Sequence, residues 1–137
     1  MDIVRVPNPA KADGKPTVLS TSFSVQVSHA VVITAKVSIQ RFDPMTVDGY
    51  KASSSDPSTF GKMVGIALDG ASPAQPVPVL VSGRIENNGW AWVEGDLIFL
   101  SGAALNSSAP SVGYIQQVGK ADTSSSIILA ITSPIQL

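Results

Sequence analysis

Cysteine is absent from the 137 residues. That excludes a disulfide framework, a zinc-thiolate centre and a thiol nucleophile, and it leaves packing and hydrogen bonds to hold the fold. Charge is scarce too: charged residues make up 14% of the chain, against roughly 25% in ordinary domains. Nine Lys and Arg oppose ten Asp and Glu, a formal net charge of -1, and they are scattered rather than blocked, so no nucleic-acid partner is expected. No stretch reaches the roughly 18 apolar residues of a membrane span. The opening MDIVRVPNPAKADGKP lacks the basic-then-apolar order of a secretory leader. No membrane partner is expected, and synthesis in the cytoplasm is. A chain of this length suits one core.

Ser, Thr, Gly, Pro, Ala and Val dominate instead. Residues 1–20, with Pro7, Pro9, Gly14 and Pro16, show no helical or alternating period and read as an extended amino-terminal arm, followed by a single β domain over 21–137. Alternating β-branched residues from Phe23 to Ile39 predict one long strand or two short ones, with a bend at Ser28-His29-Ala30. Asp43-Pro44, Asp48-Gly49 and Asp56-Pro57 mark residues 41–61 as a turn-rich loop, with one short strand at Tyr50–Ala52 and, as an alternative, one short helix in 42–60.

Further strands are expected at Met63–Leu68, Val77–Ser82, Trp90–Val93, Leu97–Leu100, Val112–Gln117, Val118–Ala121 and Ile127–Thr132. Pro76 and Pro78 place the second of these at an edge or beside an open side, with Gly83 closing it. Asn87-Asn88-Gly89 reads as a hairpin turn and Glu94-Gly95-Asp96 as another tight turn. Short strands with turn signals every 8–12 residues predict an all-β barrel or sandwich of short antiparallel strands. One internal echo stands out. Val64-Gly65-Ile66-Ala67, a turn and VPVLVS are matched by Val118-Gly119-Lys120-Ala121, a turn and IILAIT, as two similar β-hairpins related by pseudo-symmetry would give.

The residues offer little chemistry. His29, the one histidine, lies in a β-branched run and reads as a half-buried strand residue rather than a general base. Asp43, Asp48, Asp56 and Asp69 sit beside Pro or Gly, where Asp bonds its own turn, and they lack the alternate spacing of a calcium loop. Glu94 and Asp96 read as solvated turn charges. Gly65, Gly83, Gly95 and Gly119 fit no phosphate-binding pattern and read as turn or bulge glycines. No catalytic, metal or cofactor site is expected. Trp90 and Trp92 fall on one face of their strand, where they cover an open end of the core, line a subunit contact or, in a third reading, form a sugar-stacking platform.

In order, VGIAL, VPVLVSG, WVEGDLIFL, VGYIQQVGKA and IILAI resemble the blocks of bacteriophage capsid decoration (cement) proteins, over the 75 residues Met63–Leu137. The resemblance implies a compact β-barrel-like domain on the outside of a virion. It would assemble as a homotrimer, or at local symmetry axes, and brace the major capsid protein. Gly65 and Gly119 match the family's strand-start glycines, Gly83 the end of its middle strand, Gly95-Asp96 a turn, and Trp90-Ala91-Trp92 an aromatic segment before that turn. The arm, with Pro7 and Pro9, and the loop 40–61 depart from the pattern; these and the two tryptophans are the expected partner contacts. Modules of phage tail fibres share the carboxy-terminal pattern, which makes a tail component the main rival.

Overall fold

The β-branched and Gly-punctuated segments fold into ten strands in the computed structural model, which describes residues 28–137. The expected arm, with Pro7 and Pro9, and the Phe23–Val27 part of the first strand lie outside the described residues. In chain order the strands are β1 (His29–Thr34), β2 (Pro44–Thr46), β3 (Met63–Ala67), β4 (Pro76–Glu86), β5 (Leu97–Ser101), β6 (Ala104–Asn106), β7 (Tyr114–Ile115), β8 (Gln117–Thr123), β9 (Ser126–Leu129) and β10 (Ile135–Gln136). All the pairings are antiparallel. The main sheet runs β2-β3-β4-β9-β8-β5-β6, with β1 added on β4 and a separate β7-β10 pair. It curls into a nearly closed barrel, so the all-β expectation holds. The helix allowed in 42–60 is a single 3-10 turn at Pro57–Thr59.

Several local expectations are corrected. The segment Trp90–Val93 forms no strand. The turn after Asn87 exists, with the Asn87 side chain accepting from Gly89 N–H at 2.9 Å, but it joins no hairpin because β4 pairs with β9 instead. Gly83 does not close β4, which continues to Glu86; β1 and β3 flank it at Val79 and Leu80, but its Pro76–Pro78 start has β1 as its only strand partner, the open side expected from the prolines. The prolines are tolerated because β3 ends at Ala67, opposite Val79, while Pro78 keeps its carbonyl in use, accepting from Leu68 N–H at 2.8 Å.

The internal echo is a structural duplication. Gly65 faces Met45 and Gly119 faces Ile98; Ile66 lies between Pro44 and Leu80 as Lys120 lies between Leu97 and Ile128. The same bulge recurs, because the register steps over Val64 between Met45 and Thr46 and over Val118 between Ile98 and Phe99. The entry turns match as well. Asp43 accepts from Gln40 N–H at 2.8 Å and Asp96 from Val93 N–H at 3.0 Å. The residues before them, Phe42 and Gly95, both have positive φ, 75° and 93°.

Two units therefore follow one another. The first holds β1, β2, β3 and the start of β4; the second holds the end of β4, β5, β6, β8 and β9. The strand β4 serves both, since Val31 pairs with Val79 as Ile85 pairs with Ile127. One core cluster, with Met45, Ala67, Val77 and Val79, belongs to the first unit. The larger one joins Ile66 and Leu80 of the first unit to Ile98, Leu100, Val118, Ile127 and Leu129 of the second.

Candidate interaction surface

The duplication explains where the tryptophans stand. Trp92 occupies the place that Ile39 holds in the first unit: Ile39 N–H donates to Ala71 and Trp92 N–H to Ser124, at 2.8 and 2.9 Å. Each is a lid on its unit's core, so Trp92 is half-buried rather than displayed. Trp90 packs beside it, with ring centroids 5.7 Å apart and planes at 46°, and also against Phe42 at 5.4 Å. The indoles are tilted and lean on the core, so they share no flat face for a sugar ring. The Phe42 contact joins the two units, and Arg41 covers the outer side of Phe42 at 4.8 Å.

The glycines singled out in the sequence have two different jobs. Gly95 is a turn residue, as expected. Gly65 and Gly119 are not in turns but inside strands, next to the bulge, which is the other place expected for them, and there the facing strand comes too close for a side chain. A Cβ would stand 2.1 Å from the Leu80 carbonyl oxygen at Gly65 and 2.3 Å from that of Ile128 at Gly119. Gly83 is likewise inside β4, at φ 115°, where the Ser28 Cα lies 2.8 Å from a would-be Cβ.

His29 is exposed at the start of β1, opposite Ser82, and not half-buried as the run around it suggests. The carboxylates behave as turn residues. Asp56 accepts from Ser58 N–H at 3.0 Å and Ser58 Oγ at 2.7 Å, and these bonds hold its carboxyl below the usual range. Asp69 accepts from Gly70 N–H at 2.9 Å, and Asp48 pairs with Lys62 at 3.1 Å. Asp96 is half-buried under its own turn and Glu94 is exposed. Among the described residues no group of three His, Cys, Asp or Glu could hold a metal ion, and no helix is long and apolar enough to cross a membrane.

One polar cluster was not foreseen. Arg84 of β4 donates to Asp122 at 3.0 Å and to Ser126 Oγ at 3.1 Å, and Ser126 Oγ also donates to Asp122. Partial burial pushes the Asp122 carboxyl up, but the bonds from Ser126 and Arg84 outweigh it and hold it below its ordinary value. A depressed carboxylate stabilises the fold above its unfolded value, about pH 3.9, and that contribution is lost as pH falls through the folded value. Asp122→Asn is therefore expected to cost up to about 1 kcal/mol, limited by solvent screening. In denaturant unfolding that gap should be constant from neutral pH to about pH 5 and close below pH 4.

The feature most suggestive of a partner is apolar. Val32 is 72% exposed and Val47 58%, with Val93, Leu97, Val112, Ile135 and Leu137 also open to solvent. Sequence reasoning passed over Val32 and Val47; the run AVVI, apolar at consecutive positions, was the available signal that both faces of β1 are greasy. No family model, no curated protein and no solved structure matches the chain.

Proposed function

We propose that the chain is a structural protein of a virion, a decoration protein that binds the outer surface of a capsid and stabilises the head. The observation that carries this reading is the surface itself. A small β barrel with few charges leaves large apolar side chains exposed around its perimeter, from Val32 and Val47 to Ile135 and Leu137. Such side chains are costly to leave in water and gain free energy when a partner covers them. The block order from VGIAL to IILAI, similar to that of cement proteins, points to the capsid as that partner. The tail-fibre reading shares the fold but draws on the same blocks without adding an observation of its own.

The mechanism is linkage. A protein that binds the assembled lattice better than free capsid subunits stabilises the lattice by an amount set by its occupancy and affinity. Undecorated heads of the encoding virus should therefore release their DNA at a higher temperature when saturated with the purified protein, by several degrees. An unchanged release temperature at saturating protein would count against the proposal.

A further inference from the structure

We infer that this chain associates head to tail with a second copy of itself, the open face of the second unit in one copy covering the open groove of the first unit in the next. The inference rests on the duplication and does not depend on the capsid reading. Within the chain, the first unit packs onto the second through Ile66 and Leu80, 0% and 4% exposed, which share a core cluster with Leu100, Val118 and Leu129. Each of these five residues has a counterpart, given by paired register for Ile66 and Leu80, at the shared bulge for Val118, and one step beyond the paired positions for Leu100 and Leu129, and every counterpart is left uncovered to some degree by the described residues.

Ile66 and Leu80 correspond to Lys120 and Ile128 in the second unit. Lys120 is exposed, Ile128 is half-buried, and beside them Leu97 is 45% exposed. Lys120 and Ile128 border a shallow depression of about 580 Å³. Leu100, Val118 and Leu129 correspond to Val47, Val64 and Val81 in the first unit. These line a groove of about 700 Å³ together with Val32. Among the described residues, one unit has thus kept the covering face without a groove to cover, and the other has kept the groove without a cover. Lys120 stands where Ile66 does, beside Glu94 and Asp122, and the groove carries Lys36 and Asp48 at its edge, so the contact between copies is more polar than the contact within one. That difference suits an interface formed after folding.

The two surfaces differ, so a twofold pairing cannot satisfy both. A contact of this kind repeats from copy to copy, into a ring where the rotation closes and into an open filament where it does not. The competing occupant of the groove is the same chain's residues 1–27, which lead into His29 at its rim.

The test uses the full chain and two surface substitutions, Val32→Arg in the groove and Leu97→Glu on the covering face. Light scattering after size exclusion should give an oligomer for the unchanged protein and a monomer for each variant, with circular dichroism and melting temperature preserved. Mixed in equal amounts, the two variants should form a dimer, because one intact groove and one intact face remain between them. An unchanged protein that stays monomeric at its highest soluble concentration would overturn the inference, as would variants that keep the original mass. A mixture that stays monomeric would show that the interface is not head to tail. A monomer in which Val32→Arg alone exposes residues 1–27 to protease would assign the groove to the chain's own amino terminus.

Discussion

Gly65→Ala is expected to destabilise the fold by roughly 3 kcal/mol, and Gly119→Ala by a similar amount. The added methyl group at either position meets a backbone carbonyl of the facing strand, 2.1 Å away at Gly65 and 2.3 Å at Gly119. A flexible side chain could swing aside, but a carbonyl fixed in a ladder cannot, so the strands must separate next to the bulge. Overpacking of this kind costs about 1–3 kcal/mol, more where the backbone has to move. For a chain of this size the expected change is a fall in melting temperature of about 10 °C. Gly61 is the control: it has positive φ but nothing within 4 Å of its Cβ position, so Gly61→Ala should cost only the left-handed strain, about 1–2 kcal/mol. Thermal unfolding of the three variants checks the ranking. Equal costs at all three positions would mean that strand approach is not what selects glycine at Gly65 and Gly119.

Tyr114→Ala should be at least as damaging, at roughly 3–5 kcal/mol. Tyr114 is among the largest fully buried side chains, 1% exposed. Its hydroxyl bonds Thr59 Oγ1 at 2.8 Å and Phe60 meets its ring edge-on at 5.3 Å; the backbone N–H, which alanine keeps, donates to the Ser54 carbonyl at 3.0 Å. One side chain thus fastens the 53–60 loop to the barrel. Burial raises the phenol above its ordinary value, with the Asp56 charge adding to the rise and the Thr59 bond opposing it. Tyr114→Phe keeps the packing and loses one buried hydrogen bond, so about 1 kcal/mol is expected. Denaturant unfolding of the pair separates the ring from the hydroxyl. A phenylalanine variant as unstable as the alanine variant would contradict the packing account.

The fold class was legible because β-branched alternation and turn residues both report local backbone preference. Asp43 and Asp96 were readable as turn carboxylates for the same reason, since each bonds a backbone N–H three residues before it. The roles of Gly65 and Gly119 were not, because a close approach depends on Leu80 and Ile128, which no local pattern ties to them. Their repetition was visible, and it proved to be the trace of the duplication. Gly83 suggested a strand end, yet its positive φ accommodates Ser28 while β4 runs on. The period-two spacing of Trp90 and Trp92 imitated a strand. Trp92 is instead a core lid, in the place of Ile39, and only the register of the two units reveals it. The apolar perimeter around Val32 and Leu97 escaped notice because composition counts hydrophobic residues without saying which face they occupy.

The most direct test of the proposed function is co-sedimentation of the purified protein with undecorated heads of the virus to which the proposal assigns it. Saturable binding is expected, with a fixed number of copies per head, and it should fail when the apolar perimeter is charged by Ile135→Lys or Val112→Lys. Protein that stays in the supernatant at every concentration, with the heads intact, would contradict it.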